Sequence, residues 1–174
     1  ELVIKALNKG KAIYVEKPLA LNDESIIEIE EAIYNSDNPK LFVGFNRRFA
    51  EATQFIKQKI NNQAANSITF RFSVPPLDKD HWTNMKEIGG GRIVGEAIHA
   101  IDLACYLFDS LPQSVASSAP VNKDNNEANE NQVFISVNFA NGAHAAIQYF
   151  SETNQGLSKE RIEVHGGGNS YIIE

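Results

Sequence analysis

Arg92, Glu96, His99 and Asp102 carry reactive or charged side chains within one short stretch, Gly89-Gly90-Gly91-Arg92-Ile93-Val94-Gly95-Glu96-Ala97-Ile98-His99-Ala100-Ile101-Asp102, which continues through Leu103 to Asp109. His99 is the imidazole of this stretch, and Glu96 and Asp102 are its carboxylates. From Ala97 to Phe108 nearly every residue is apolar. At about 100° per residue, Gly95, Glu96, His99, Asp102 and Tyr106 gather on one side of a helix. A helix with so little polar surface is expected to be buried. Its polar stripe must then meet internal partners or a polar ligand, because burying a lone carboxylate or imidazole costs several kcal/mol. The three glycines admit close backbone approach, and Gly95 adds no side chain within the stripe. The stripe is either one wall of a small-molecule site or a core in which His99 and Asp102, three apart, satisfy each other. On this helix alone the second is the simpler.

Lys17 is the other candidate. The apolar run Ala12-Ile13-Tyr14-Val15 predicts a short buried strand that ends at Glu16-Lys17-Pro18. Pro18 keeps Lys17 out of helical geometry and holds it extended at the carboxyl end of the strand, where open α/β sheets bind ligands. The plain alternative is a lysine that faces solvent after a strand.

The elements around these residues follow from pattern. Leu2, Val3, Ala6 and Leu7 recur at helical spacing, with Asn8-Lys9-Gly10 as the stop. Asn22 or Asp23 caps a helix to about Asn35, and Leu41-Phe42-Val43 forms a second buried strand. Helix, strand, helix, strand is the closing part of a doubly wound parallel sheet. Its opening Gly-x-Gly-x-x-Gly is missing. Gly44-Phe45-Asn46-Arg47-Arg48-Phe49 marks a change of domain, with Asn46 expected to cap a helix to about Ile60. Ser67 to Val74 alternates as a strand, and Pro75-Pro76 ends it.

Beyond the apolar helix the pattern becomes β: Ser114 to Ser118, Gln132 to Phe139, Ala143 to Phe150, and Arg161 to His165 as the last strand. Asn141-Gly142 signals a tight hairpin. Asn61–Asn66 and Val121–Asn131 read as polar loops. The expected fold is α+β (α/β), the tail of a Rossmann fold followed by a domain with a large, mostly antiparallel open sheet covered by helices on one face. On one strand Phe134, Ser136 and Asn138 line the uncovered face, and Ala145, Ile147 and Tyr149 are expected to add apolar surface to it from the neighbour. Two such faces could pair in a symmetric dimer.

Composition narrows the partners. With 22 acidic and 16 basic residues intermixed and a net charge of -6, the chain offers no basic face, so neither nucleic acid nor an anionic membrane is expected to bind. No apolar run approaches the roughly 20 residues that cross a bilayer, and no signal peptide opens the chain. The single cysteine, Cys105, excludes an internal disulfide and a cysteine metal cluster. It reads as a buried small hydrophobe in a cytoplasmic protein. His81, His99, His144 and His165 are too irregularly spaced for a metal motif, so no metal is expected, and His144 and His165 fall in strands. The chain begins without methionine inside a helix and stops inside the apolar run Ile172-Ile173-Glu174, so it reads as a fragment.

Three segments in order, Gly10-Lys11-Ala12-Ile13-Tyr14-Val15-Glu16-Lys17-Pro18-Leu19-Ala20, Gly44 to Phe49, and the glycine-rich stretch through His99 and Asp102, resemble the Gfo/Idh/MocA family of NAD(P)-dependent oxidoreductases, relatives of glucose-fructose oxidoreductase and inositol dehydrogenase. Glu163-Val164-His165-Gly166 is similar to that family's last strand. The resemblance implies that residues 1–44 are the C-terminal remnant of a Rossmann dinucleotide-binding domain and 45–174 a substrate-binding and oligomerisation domain. The cofactor fingerprint would then lie upstream of Glu1, and this chain alone would bind NAD or NADP poorly.

By the same resemblance Lys17 and His99 sit at the nicotinamide and the substrate carbon. Glu16, Pro18, Asn46 and Arg47 are expected to line the cofactor pocket, while a surface role for Arg47 and Arg48 weighs equally. The family often carries an aspartate four residues before the histidine. Here Gly95 stands there, with Glu96 beside it, so Glu96 or Asp102 could orient His99; Asp102 could equally be structural. Trp82 could stack on a sugar ring or anchor the core. Arg92 could meet a phosphate or carboxylate of the substrate or cap a helix. The implied activity is hydride transfer between NAD(P) and a hydroxyl or keto carbon of a sugar, sugar derivative or cyclic polyol. The alternatives are a non-catalytic ligand-binding or dimerisation scaffold, and an NAD-dependent glycoside hydrolase or lyase that uses the same residues.

Overall fold

Helix α1 (Leu2–Leu7), strand β1 (Ala12–Val15), helix α2 (Asp23–Tyr34) and strand β2 (Lys40–Val43) follow one another as the periodicities require. The structure is a computed structural model that describes residues 1–60, 66–78, 81–121, 132–154 and 156–174, so most of the two polar loops read at 61–66 and 121–131 lies outside the described residues. The chain divides into two compact units, Glu1–Asn46 and Arg47–Glu174.

In the first unit β1 and β2 pair in parallel, Ala12 opposite Lys40 through Val15 opposite Val43. Asn22 starts α2 by accepting the Ser25 backbone N–H at 2.9 Å, and Asp23 and Glu24 place negative charge on the first turn. Leu7, Ile29 and Ala32 form a small core with Ile13 and Leu41 packed against it. The opposite face of the two strands carries Tyr14 and Phe42, stacked at 5.5 Å and exposed.

The second unit begins with a 3-10 turn at Asn46–Phe49 that leads into helix α3 (Glu51–Lys59). Asn46 therefore does not cap α3: the cap position is Ala50, which offers no side chain, and the turn intervenes. Strand β3 (Ser67–Ser73), a second 3-10 turn at Trp82–Asn84, the short helix α4 (Lys86–Gly89), a π-helical segment at Ile93–Ala97 and helix α5 (Ile98–Phe108) follow. The chain closes with β4 (Pro112–Ser118), β5 (Gln132–Phe139), β6 (His144–Phe150), β7 (Glu160–Gly166) and β8 (Asn169–Ile173).

These six strands form one sheet in the order β4-β5-β6-β3-β7-β8; β3 and β6 run parallel, and the other neighbours run antiparallel. The mostly antiparallel sheet is as expected. Strand β8 was not: a second hairpin, turning at Gly167-Gly168, returns the chain so that Val164 lies opposite Tyr171.

Period-two alternation decides what is buried. Ile68, Phe70 and Phe72 of β3 lie beside Ala145, Ile147 and Tyr149 of β6, and all face the core with Leu103, Ala104 and Leu107 of α5. Ala145, Ile147 and Tyr149, expected on the uncovered face, are thus on the covered one, because the Asn141-Gly142 turn sets Val137 opposite Ala145. The uncovered face presents Thr69, Phe134, Ser136, Asn138, Ala146 and Gln148, none of which is fully buried.

Candidate active site

The helix that carries His99 does not run as one regular spiral. Between Arg92 and Ile98 it widens into a π turn before settling into α5. Such segments place side chains in positions that a continuous α-helix would not, and they recur at functional sites. The glycines before it act through backbone shape. Gly90 and Gly91 take φ of +71° and +79°, and a Cβ on Gly89 would lie 2.7 Å from Thr83 Cα, so Gly89 lets the Trp82–Asn84 turn close against α4.

His99 and Asp102 are both buried on α5. Asp102 is bound by Arg48. Arg48 Nε donates to its Oδ2 at 2.8 Å and Arg48 Nη2 donates to its Oδ1, a fork-to-carboxylate pair across 54 residues. Both carboxylate oxygens of Asp102 are thus engaged by Arg48. The Arg48 guanidinium, partly open to water, also lies over the Tyr106 ring at 5.6 Å, and Gln54 donates to both the Arg48 carbonyl and the Tyr106 hydroxyl. Arg47 makes a similar fork with Glu160 of β7 and sits 5.9 Å over Phe72. A guanidinium engaged in this way fastens the start of the second unit to the sheet.

Arg92 is 4% exposed. Its Nη1 donates to the Pro75 carbonyl at 3.0 Å, its Nη2 lies 3.7 Å from Glu96 Oε1, and its guanidinium stands 5.8 Å over the Tyr149 ring. It neither caps the helix through its side chain nor reaches outward to an anionic substrate group. Burial, reinforced by the Glu96 charge, pushes the Tyr149 hydroxyl far above its ordinary range. Gly95, between these groups and His99, is open: a Cβ there would meet only the Gly89 carbonyl oxygen, at 3.6 Å.

Trp82 is 58% exposed and stacks on His81, so it is not a core anchor. Cys105 is half-buried, and burial raises its thiol. His144 bonds Ser136 and His165 bonds Ser170, both within the sheet as expected.

In the first unit Glu16, Lys17 and Pro18 follow directly on β1. Tyr14 donates to Glu16 at 3.0 Å, and this contact raises the Tyr14 hydroxyl. The start of the Gly44 crossover packs tightly on them: a Cβ at Gly44 would lie 2.8 Å from Tyr14 Oη and 2.9 Å from Glu16 Oε2. Asn46 folds back, its N–H donating to the Gly44 carbonyl at 3.0 Å.

Sequence reasoning missed Arg48 as the partner of Asp102 and Tyr149 as the floor beneath Arg92. The doubled arginine after Gly44-Phe45-Asn46 was a signal for the first. Tyr149 sits in an ordinary strand alternation that gives no hint of it.

Comparison with known proteins agrees with this architecture. The profile of the GFO/IDH/MocA C-terminal domain matches residues 63–172. The chain is 29% identical over its whole length to 53% of an inositol 2-dehydrogenase from Rhizobium meliloti. Over 95% of its length it is 30% identical to half of a myo-inositol 2-dehydrogenase from Thermotoga maritima. In fold it matches, over 99% of its length and with a TM-score of 0.76, half of the crystal structure of myo-inositol dehydrogenase from Lactobacillus casei in complex with NAD(H) and myo-inositol, at 22% identity. The chain spans about half the length of the curated relatives it matches. The mixed sheet covered by the His99 helix and the match over residues 63–172 lead to one conclusion: the chain belongs to the GFO/IDH/MocA family.

Proposed function

We propose that the protein carrying this chain is an NAD(P)-dependent oxidoreductase that moves hydride between the cofactor and a hydroxyl or keto carbon of a sugar, sugar derivative or cyclic polyol. The observation that carries this reading is the helix that passes from a π turn bearing Glu96 into α5 bearing the buried His99, with a separate ion pair, Arg48 with Asp102, fastening α5. The sequence match along the whole chain to inositol 2-dehydrogenases supports it.

In this reading residues 1–44 are the tail of a Rossmann domain, and 45–174 bind substrate. His99 takes the proton of the reacting hydroxyl as its carbon loses hydride. Lys17 donates a hydrogen bond to the same oxygen and stabilises the charge that develops on it. The nicotinamide, when bound, supplies the hydride acceptor. Glu16, Pro18 and Asn46 shape its edge of the site. Asp102 acts through Arg48 as a positioning residue. Trp82, exposed on its turn, is available to stack on a sugar ring. The half-buried thiol of Cys105 suits a reducing compartment, the cytoplasm. Two copies pairing through the uncovered sheet face would make a homodimer.

The test is turnover. The full-length protein is assayed by absorbance of reduced nicotinamide against a panel of sugars and cyclitols, beside Lys17→Ala and His99→Ala. Each variant should lose about 100-fold or more in kcat, the range of a general acid–base or charge-stabilising group. Unchanged turnover in both variants would refute the assigned roles.

A further inference from the structure

Arg92, Glu96 and Tyr149 form a layered group. The guanidinium is innermost and 4% exposed, the Tyr149 ring lies beneath it and is 0% exposed, and Glu96 lies outermost with its side chain 25% exposed. A cation removed from water needs a compensating charge, and the carboxylate 3.7 Å away is the one the described residues provide. The Tyr149 hydroxyl makes no hydrogen bond within the described residues, although both Glu96 and Arg92 lie within its electrostatic reach. Glu96 precedes His99 by three residues, where the π turn passes into α5. Gly95 leaves the space next to them free of any side chain of its own.

A substrate approaching His99 along this helix therefore meets a carboxylate in front and finds the matching cation behind it. A carboxylate offers two acceptor oxygens and no donor, a match for the two O–H groups of a vicinal diol. It repels a second carboxylate, and Arg92 cannot answer, because its fork is turned to Pro75 and Glu96.

On the reading that this is an oxidoreductase site, we infer that Glu96 is a specificity-determining residue. It binds hydroxyls adjacent to the reacting carbon and selects neutral polyhydroxylated substrates over sugar acids, with Arg92 holding it in place.

The experiment is equilibrium titration of the full-length protein, loaded with NADH, with glucose, myo-inositol and glucuronate. The wild type should bind at least one neutral probe about tenfold more tightly than glucuronate, the discrimination expected of a charged hydrogen-bonding group against a like charge. Glu96→Gln, isosteric and at a partly exposed position, should fold. It should weaken the neutral probe about tenfold and bring glucuronate level with it. Tyr149→Phe, which removes a hydroxyl that bonds to neither group, should leave both probes where they were. Tighter binding of glucuronate by the wild type, an unchanged preference in Glu96→Gln, or no binding of either neutral probe overturns the assignment. Turnover judges the other reading separately, measured with NAD or NADP in place of NADH and a panel of sugars and cyclitols. Binding through Glu96 without reduction of the nicotinamide by any member of the panel would sink the oxidoreductase and leave the role of Glu96 standing.

Discussion

At the residue scale the most informative group is a hydroxyl that the core holds without a partner. Tyr149 is 0% exposed, and its oxygen makes no hydrogen bond among the described residues. Tyr149→Phe should then change stability at pH 7 by less than about 1 kcal/mol, toward greater stability, since it removes a desolvated group and no bond. Burial raises the folded-state pKa of this phenol above its unfolded value. The neutral form is thus favoured on folding, and its contribution is complete below an unfolded pKa of about 10. Above that pH the unfolded chain releases a proton that the folded one keeps, and stability falls until the raised folded value is reached. Urea unfolding between pH 9 and 11.5 should show this decline in the wild type, at up to about 1.4 kcal/mol per pH unit from this group. Tyr149→Phe should remove that part, while the part due to Tyr14, raised by its bond to Glu16, persists. Identical slopes in the two proteins would show that the hydroxyl is not where this account puts it.

At the element scale the crossover and α5 are joined by a pair whose two halves are unequally buried. Asp102 is 8% exposed in its side chain and Arg48 38%. Arg48→Ala leaves a carboxylate in the core with no counter-ion and should cost about 3–5 kcal/mol. Asp102→Ala leaves a guanidinium that water can reach, and should cost about 1–2 kcal/mol. Guanidinium unfolding of both variants checks this order. If Asp102→Ala proved the costlier, the pair would not be what holds the helix.

The same elements show which features could be read from the chain. The 3.6-residue stripe of α5 and the Asn-Gly hairpin between β5 and β6 were legible because each is decided by neighbours in sequence. The π turn at Ile93–Ala97 was not, since it follows from how Arg92 and Ala97 are drawn into the core. Nor was the Arg48 to Asp102 pair, whose partners lie 54 residues apart. Strand β8 was missed although Gly167-Gly168 stands between two alternating runs, the signal that had been read correctly at Asn141-Gly142. Of the proposed site, His99 and Lys17 were picked out by chemistry. The group that supports Glu96 emerged from burial, which a strand pattern alone does not reveal.

At the scale of the whole molecule the uncovered sheet face sets the next question. The register aligns Ala116, Ser136, Ala146 and Thr69 in one row across four strands, a track of small side chains. Beside it Phe134 is 42% exposed, and a shallow depression of about 330 Å³ opens among Phe134, Ser136, Ala146 and Gln148. Sheets that stack face to face come within about 10 Å, which requires side chains of this size in the middle. A stable homodimer needs roughly 1,200 Å² or more of total buried surface, an area that a six-stranded face can supply. The full-length protein should sediment as a dimer at tens of micromolar. Ala146→Arg places a long cation in the centre of the row, where its twofold mate would meet it, and burying two like charges that have no partner costs more than such an interface gains. This variant should sediment as a monomer with its circular dichroism unchanged, since residue 146 is only half-buried and faces away from the core. A wild-type monomer at that concentration, or a dimer that withstands Ala146→Arg, would move the contact to another surface.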